Sequence, residues 1–421
     1  MTSPATHVAV IGAGIVGVCT AIALLDDGHR VTLIDPGPPG GEQAASHGNG
    51  AFISPASIIP MSMPGLWRKV PGYLLDRDGP LTIDWRSLPR LAPWLLRFLL
   101  AGFTTARVRR TAGILSQLLH DGPDRHLALA DRAGVPQMIR RDGLLYAFPS
   151  RADFDAAGLA WQLRRDNGVS WQELEGDALA ACEPALNPRY RFGILLGSGA
   201  HCTSPGRYVA ALARYAQARG AQMVGARVTG LRMANGRLQG VETDTGLIAC
   251  DRAVITAGMG SGALARSLGD AIPMEAERGY HVQLATPTRP AACTRPVMPS
   301  DGMMANTWLD EGLRASGQVE LSSADAPPNW NRADILLRHL HQAWPGLPRT
   351  APVTRWQGNR PSTPDGLPVI GRARRSADVI YAFGHGHVGL ASGPKTAAIV
   401  AALLAGRAPP IDPAPFAPGR F

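Results

Sequence analysis

The apolar pattern is densest at the start of the chain. Residues 7–11 (His-Val-Ala-Val-Ile) read as a short buried strand. A helical run leads from a glycine turn at 12–17 to residue 25, where Asp27-Gly28-His29-Arg30 breaks it. Residues 31–35 form a second strand ending on Asp35. Further strands are expected at 81–85, 142–148, 192–196, 222–224, 226–229, 253–261, 273–284 and 379–383, with a hairpin arm at 237–245. A period near 3.6 predicts helices at 113–133, pausing at Gly122-Pro123, and at 151–167, 331–343 and 391–405. Ser204 and Pro205 are expected to cap a helix at 207–219, closed by Gly220. Within 303–321, two strands flank a turn at Asp310-Glu311-Gly312. Residues 91–103 are very apolar, with Trp67, Trp85 and Trp94 nearby and Arg107, Arg109 and Arg110 following. That stretch fits a buried helix over the core. It fits a surface element facing a membrane interface equally well, being too short to span one.

Strand, glycine turn, helix and strand in this order make a dinucleotide site. Gly12 permits the tight turn, Gly14 lets backbone approach a pyrophosphate, and Gly17 lets helix and sheet pack closely. Ile15 and Val16 open the helix, whose N-terminal N–H groups and dipole attract phosphate. Asp35 is placed to accept from ribose hydroxyls. Glycine turns alone do not separate NAD from FAD.

Composition changes this picture little. The chain has 421 residues, 45% hydrophobic and 18% charged, enough for two or three lobes around large cores. Net charge is +9, yet Lys69 and Lys395 are the only lysines among 42 basic residues. Arginine dispersed without runs, beside abundant Ala, Gly and Pro, reads as compositional bias and argues against nucleic-acid binding. A basic flavin-binding protein associated with nucleic acid is therefore a remote alternative. The five cysteines (Cys19, Cys182, Cys202, Cys250, Cys293) are scattered without a CxxC. That argues for a reducing, cytoplasmic setting and against metal ligation or disulfide exchange. No signal peptide or spanning run is read from the residues given.

Four stretches carry a family resemblance. The first is the glycine turn. The second is Ser46-His47-Gly48-Asn49-Gly50-Ala51 with Ile53-Ser54-Pro55. The third is Asn359-Arg360-Pro361-Ser362-Thr363-Pro364-Asp365-Gly366 running to Gly371, and the fourth is Gly384-His385-Gly386-His387-Val388-Gly389-Leu390. In that order they resemble the FAD-dependent D-amino-acid dehydrogenases, within the wider group of D-amino-acid, glycine and sarcosine oxidases. The likeness covers essentially the whole chain and is weakest between about 61 and 200.

The resemblance implies an α/β fold. A Rossmann-like FAD-binding domain, discontinuous over 1–80, 200–265 and 355–421, would sit under a mixed-sheet substrate domain of 81–199 and 266–354. Val228 would offer backbone to the adenine, and Ala257 and Gly258 would pass under the phosphates. The helix N-terminus after Gly386, with His387, Val388, Gly389 and Leu390, would face the flavin pyrimidine, where its dipole favours negative charge. Arg360 would pair with a substrate carboxylate as a planar bidentate donor and touch the flavin. Tyr280 would hydrogen-bond the same carboxylate, and Arg278 would be a second anion contact. The implied reaction is oxidative deamination of a D-amino acid or cyclic imino acid. A hydride passes from the α-carbon to flavin N5, and the electrons pass to a quinone or carrier. Residues 91–103 would be the quinone- or membrane-facing element, on the inner face of the cytoplasmic membrane. An oxygen-using glycine, sarcosine or secondary-amine oxidase is the alternative. His47, His281, His385 and His387 are candidate proton acceptors. FAD is expected to be non-covalent; attachment through a C-terminal cysteine fails because none follows Cys293, and His47 is the candidate if attachment occurs.

Overall fold

The computed structural model describes residues 6–76, 78–285 and 295–421; Cys293 lies outside the described residues. Two large sheets carry the architecture. The first has six strands in the order Gln222–Gly225, Arg30–Asp35, His7–Ile11, Arg252–Ile255, Ser376–Phe383 and Val369–Ala373. The first five run parallel, and the last turns back antiparallel as an edge. Parallel strands covered on both faces need continuous apolar runs, and Val8, Ala9, Val10, Val31, Leu33, Val254 and Ile255 are all fully buried. Helices Ile15–Asp26 and Gly389–Ala405 pack together on one face of this sheet. The contact is close because Gly393 leaves room for Ile15.

The second sheet has nine strands, mostly antiparallel. Its edge strand Val353–Ser362 pairs with Glu275–Leu284, which pairs with Gly312–Leu321. Helix Asn331–Ala343 covers one face, packing Leu336 and Leu340 against Tyr280, Val282 and Leu284. The opposite face looks onto the six-stranded sheet. The α/β class with a mixed second sheet agrees with the sequence reading.

Local differences have local causes. The helix expected at 113–133 is two helices, Thr105–Leu119 and Gly122–Arg132, and Thr104 caps the first by accepting from the Arg107 N–H. The expected helix at 151–167 breaks into Arg151–Asp155 and Gly158–Asp166. Ser204 does not cap the helix Pro205–Ala218; its hydroxyl donates to Glu311 at 2.6 Å instead. The strand expected at 81–85 is Leu81–Ile83, and Trp85 begins a 3-10 turn. Ala226 and Arg227 lie outside any strand, while Val228–Ala234 joins a separate three-stranded antiparallel sheet. The strand expected at 253–261 ends at Ile255, and Gly258–Gly260 is a 3-10 turn. The apolar stretch forms helix Leu88–Ala101 with only Leu91 and Trp94 buried, so it is not a core helix. Leu96 is 60% exposed and Phe103 61%.

Candidate active site

A single elongated cavity of about 1220 Å³ lies between the two sheets. One end is the glycine turn. Gly12 sits at φ +107°, and a Cβ there would fall 2.6 Å from the Thr256 carbonyl oxygen. A Cβ on Gly17 would fall 1.8 Å from the Gly12 carbonyl oxygen, so Gly17 serves packing and does not line the cavity. Gly14, Ile15 and Val16 do line it. Asp35 is fixed by accepting from the Ala13 N–H at 2.8 Å and the Gly37 N–H at 2.9 Å. Its carboxylate faces the cavity near Val228, Ala257 and Gly258.

The middle of the cavity is walled by two loops. Ser46, Asn49 and Gly50 border it from one side. This loop is held by the second sheet: Arg314 donates to the carbonyls of His47 and Asn49 at 2.9 and 3.1 Å, and Thr307 donates to that of Gly50 at 2.7 Å. Burial lowers the Arg314 pKa to about 10, so it stays cationic at neutral pH. From the other side, Gly386, His387, Val388, Gly389 and Leu390 border the cavity at the start of helix Gly389–Ala405. The Gly386 N–H donates to the Pro361 carbonyl at 2.9 Å, tying this turn to the end of strand Val353–Ser362.

The far end holds the charged groups. Side chains alternate along Glu275–Leu284, so Glu277 and Gly279 face the cavity while Arg278 and Tyr280 face helix Asn331–Ala343. Arg360 lies directly across from Glu277 in register. Its guanidinium crosses Gly279, where a Cβ would come within 2.2 Å of Cζ. It donates to the carbonyls of Gln318 and Gly317 at 3.1 and 3.4 Å, leaving N–H groups for a ligand. Burial lowers its pKa from the usual guanidinium value, and Glu277 acts in the opposite direction. Glu277 accepts from or shares a proton with His387 Nε2 at 2.7 Å. Burial pushes the Glu277 carboxyl up, but His387 and Arg360 together hold it below the ordinary carboxylate value. Beyond these groups the wall is apolar, with Ile83, Trp85, Trp94, Leu95, Phe98 and Leu99. Trp94 is fixed by donating Nε1–H to the Ser362 carbonyl at 3.2 Å.

The sequence of such a cavity can now be matched to known chains. A family described as FAD dependent oxidoreductase matches residues 7–403. The chain belongs to that family. It is 53% identical to a D-amino-acid oxidase of Bradyrhizobium diazoefficiens over 99% of both chains. It is 32% identical to a D-amino acid dehydrogenase of Methylobacterium nodulans over 96% of each. An L-proline dehydrogenase of P. horikoshii shares the fold with a TM-score of 0.76 at 18% identity, over 99% of this chain and 98% of that one. The protein is thus an FAD-dependent oxidoreductase, and its cavity fits the cofactor. The cradle at Gly12 and Gly14 leaves space that a Cβ would fill. The oriented carboxylate of Asp35 suits ribose, and the two loops from opposite sheets leave a slot between them.

Several expected site residues are elsewhere. Arg278 is fully buried and donates to the carbonyls of Ala326 and Pro327 at 2.8 and 3.0 Å. Tyr280 is buried, donates to Glu320 and accepts from the Asn329 N–H at 3.0 Å. Burial, with Glu320 beside it, raises the Tyr280 pKa. Both residues therefore staple the 322–330 segment and touch neither the cavity nor a substrate carboxylate; strand parity is the reason. His47 is also outside the lining. Its Nδ1 is 3.0 Å from the Gly40 carbonyl and its ring leans toward Trp356, which removes it as proton acceptor and as flavin attachment point. Ala51, at φ +67°, and Ile53 are fully buried beneath the loop and do not line the cavity. His281 stacks on Trp356 at 5.2 Å, and burial with Arg314 nearby keeps it well below its usual pKa. His385 hydrogen-bonds Thr396 at 3.1 Å, and burial lowers its pKa to about 3. Of the four candidate histidines, His387 alone presents a partly exposed ring to the cavity.

Sequence reasoning missed Glu277, Gln318, Trp356 and Arg314. The signal for Glu277 was available: an acidic residue two before Gly279 shares that glycine's face of the strand. Gly48 and Gly358 gave a signal for Trp356, since a Cβ on either would strike its ring.

Proposed function

We propose that this oxidoreductase oxidises the C–N bond of a D-amino acid or a cyclic imino acid. The observation that carries the proposal is Arg360. It is a partly buried guanidinium with unused donors, standing at the end of the cavity opposite the dinucleotide cradle. A carboxylate there gains a charge-assisted bidentate pair. FAD, when bound, supplies the two-electron acceptor for the α-carbon hydride. The chain contributes binding and orientation. Gly12, Gly14, Ile15 and Val16 receive the phosphates, Asp35 the ribose, and Val228 the adenine. Ser46, Asn49, Gly50 and the turn from Gly386 to Leu390 enclose the ring system. The apolar wall takes the substrate side chain and excludes water.

The relatives' names support this substrate class, one being a D-amino-acid oxidase and another a D-amino acid dehydrogenase. For the electron acceptor, the exposed apolar side chains of helix Leu88–Ala101 favour a quinone or carrier at a membrane surface. Oxygen is the second reading, favoured by the name of the 53% identical relative. Mixing the holoenzyme anaerobically with a panel of D- and L-amino acids should bleach the flavin with D-enantiomers. In R360Q the apparent KM should rise about 100-fold or more, as for loss of a charged hydrogen-bonded pair worth ~3 kcal/mol. Bleaching by no amino or imino acid would refute the proposal. Rapid peroxide production under air would select oxygen over quinone.

A further inference from the structure

Arg360 is the expected cationic pole of the cavity; what stands beside it is not. Glu277 is its cross-strand partner, 5% exposed, and faces the same space. A buried carboxylate next to a carboxylate-binding arginine repels any simple acid, which is costly unless the ligand also brings positive charge. The two poles together complement a zwitterion. Glu277 also orients a base. Its hydrogen bond to His387 Nε2 places the proton on that nitrogen in the neutral ring, leaving Nδ1 as acceptor. Nδ1 has no hydrogen-bond partner among the described residues, and the ring is 36% exposed. No other acid or histidine competes for this role. His385, on the same turn, is buried against Thr396 and kept neutral by burial. Glu275, on the same strand, is engaged by Arg90 at 2.5 Å. Arg360 is the other charge facing the pair.

We propose that Glu277 and His387 form the ammonium pole of the site, with His387 Nδ1 taking a proton from the substrate ammonium before oxidation. This rests on the amino-acid reading above. In the step, one N–H bond of the ammonium breaks and an Nδ1–H bond forms. Glu277 stabilises the resulting imidazolium, as a carboxylate does for a histidine base in acyl transfer. The neutral amine keeps its lone pair, which assists departure of the α-carbon hydrogen with both electrons to the flavin. The imine and the imidazolium proton remain to be released.

Two readouts test this on the holoenzyme. The first is the pH profile of anaerobic flavin reduction by the best D-amino acid. In H387Q the rate at pH 7 should fall about 100-fold. The acidic limb should move alkaline, so that variant and wild type converge at high pH, where the substrate amine is already neutral. A structural role would lower the rate at every pH and leave the limb in place, and that result overturns the proposal. The second is binding, read from the oxidised flavin spectrum, of a carboxylate lacking an amine, such as benzoate. E277Q keeps a hydrogen bond to His387 but loses the charge, so benzoate should bind about tenfold tighter, the like-charge repulsion being removed. Unchanged or weaker benzoate binding refutes the anionic pole. If E277Q fails to retain flavin, H387Q alone decides through its limb. Wild-type enzyme whose flavin no amino acid bleaches overturns the substrate reading instead, a result distinct from bleaching with an unmoved limb.

Discussion

Single residues decide what the cavity can hold. Gly279 has no side chain, and Arg360 fills the space. The substitution Gly279→Ala should displace the guanidinium while leaving its charge. A shift near 1 Å at a positioning group costs on the order of 100-fold. Steady-state kinetics should show the loss chiefly in KM, with flavin content unchanged. Buried histidines set a second residue-scale outcome. His385 has its pKa lowered to about 3 and His126 to about 4, both chiefly by burial. Below pH about 6.5 the unfolded chain protonates both while the folded protein does not. Stability is therefore full above that pH and falls as pH drops toward 4, with a slope of up to about 1.4 kcal/mol per pH unit for each. Urea midpoints from pH 7 to 4 should follow this slope, and H385Q should flatten it by one histidine's share. Glycine chemistry was legible in the sequence because it acts locally. The positions of Arg278 and Tyr280 were not, because their motif fits either face and only strand parity sends them into the core.

Among elements, helix Leu88–Ala101 behaves least like its pattern. One side closes the apolar end of the cavity through Trp94, Leu95 and Phe98, and the other leaves Leu96, Leu100 and the nearby Phe103 in the open. No helix among the described residues is long and apolar enough to cross a membrane. Replacing Leu96, Leu100 and Phe103 by Ser should leave flavin reduction intact, since these side chains do not line the cavity. It should abolish sedimentation with anionic lipid vesicles if this face lies on a bilayer; equal sedimentation of variant and wild type refutes that role. Sequence periodicity found this helix's apolarity but not its two-sidedness. Period alone does not distinguish a face turned to a cavity from one turned to solvent. Helix Asn331–Ala343 was read correctly because its apolar stripe meets one partner, the second sheet. Ser204 shows the opposite failure: a capping residue was drawn away by Glu311, which comes from a turn 107 positions on.

At the scale of the molecule, both sheets meet at the slot that receives the cofactor. The Ser46–Gly50 loop follows the first sheet's strands, yet Arg314 and Thr307 of the second sheet fix it. The His387–Glu277 pair repeats that bridge from the other side. Tight retention of FAD therefore requires both sheets, and ligand binding stabilises them together through mass action. Spacing and order of the motifs made the discontinuous nucleotide-binding lobe legible. Sheet pairing between distant segments carries no such local signature, which is why strand Val353–Ser362 was read as a motif and not as the neighbour of Glu275–Leu284.

The six-stranded sheet also imposes an order in time. Its strand His7–Ile11 is among the first segments to leave the ribosome, but one neighbour is Arg252–Ile255, and that strand's other neighbour is Ser376–Phe383. At about 5–20 residues per second, the interval between the first and last of these is roughly 20–70 s. Throughout it, Val8 and Val10 have no complete sheet to enter. A nascent chain must keep this apolar strand shielded, by provisional contacts or by a chaperone, until nearly the whole polypeptide has been made. For this enzyme, synthesis and flavin loading are therefore successive events.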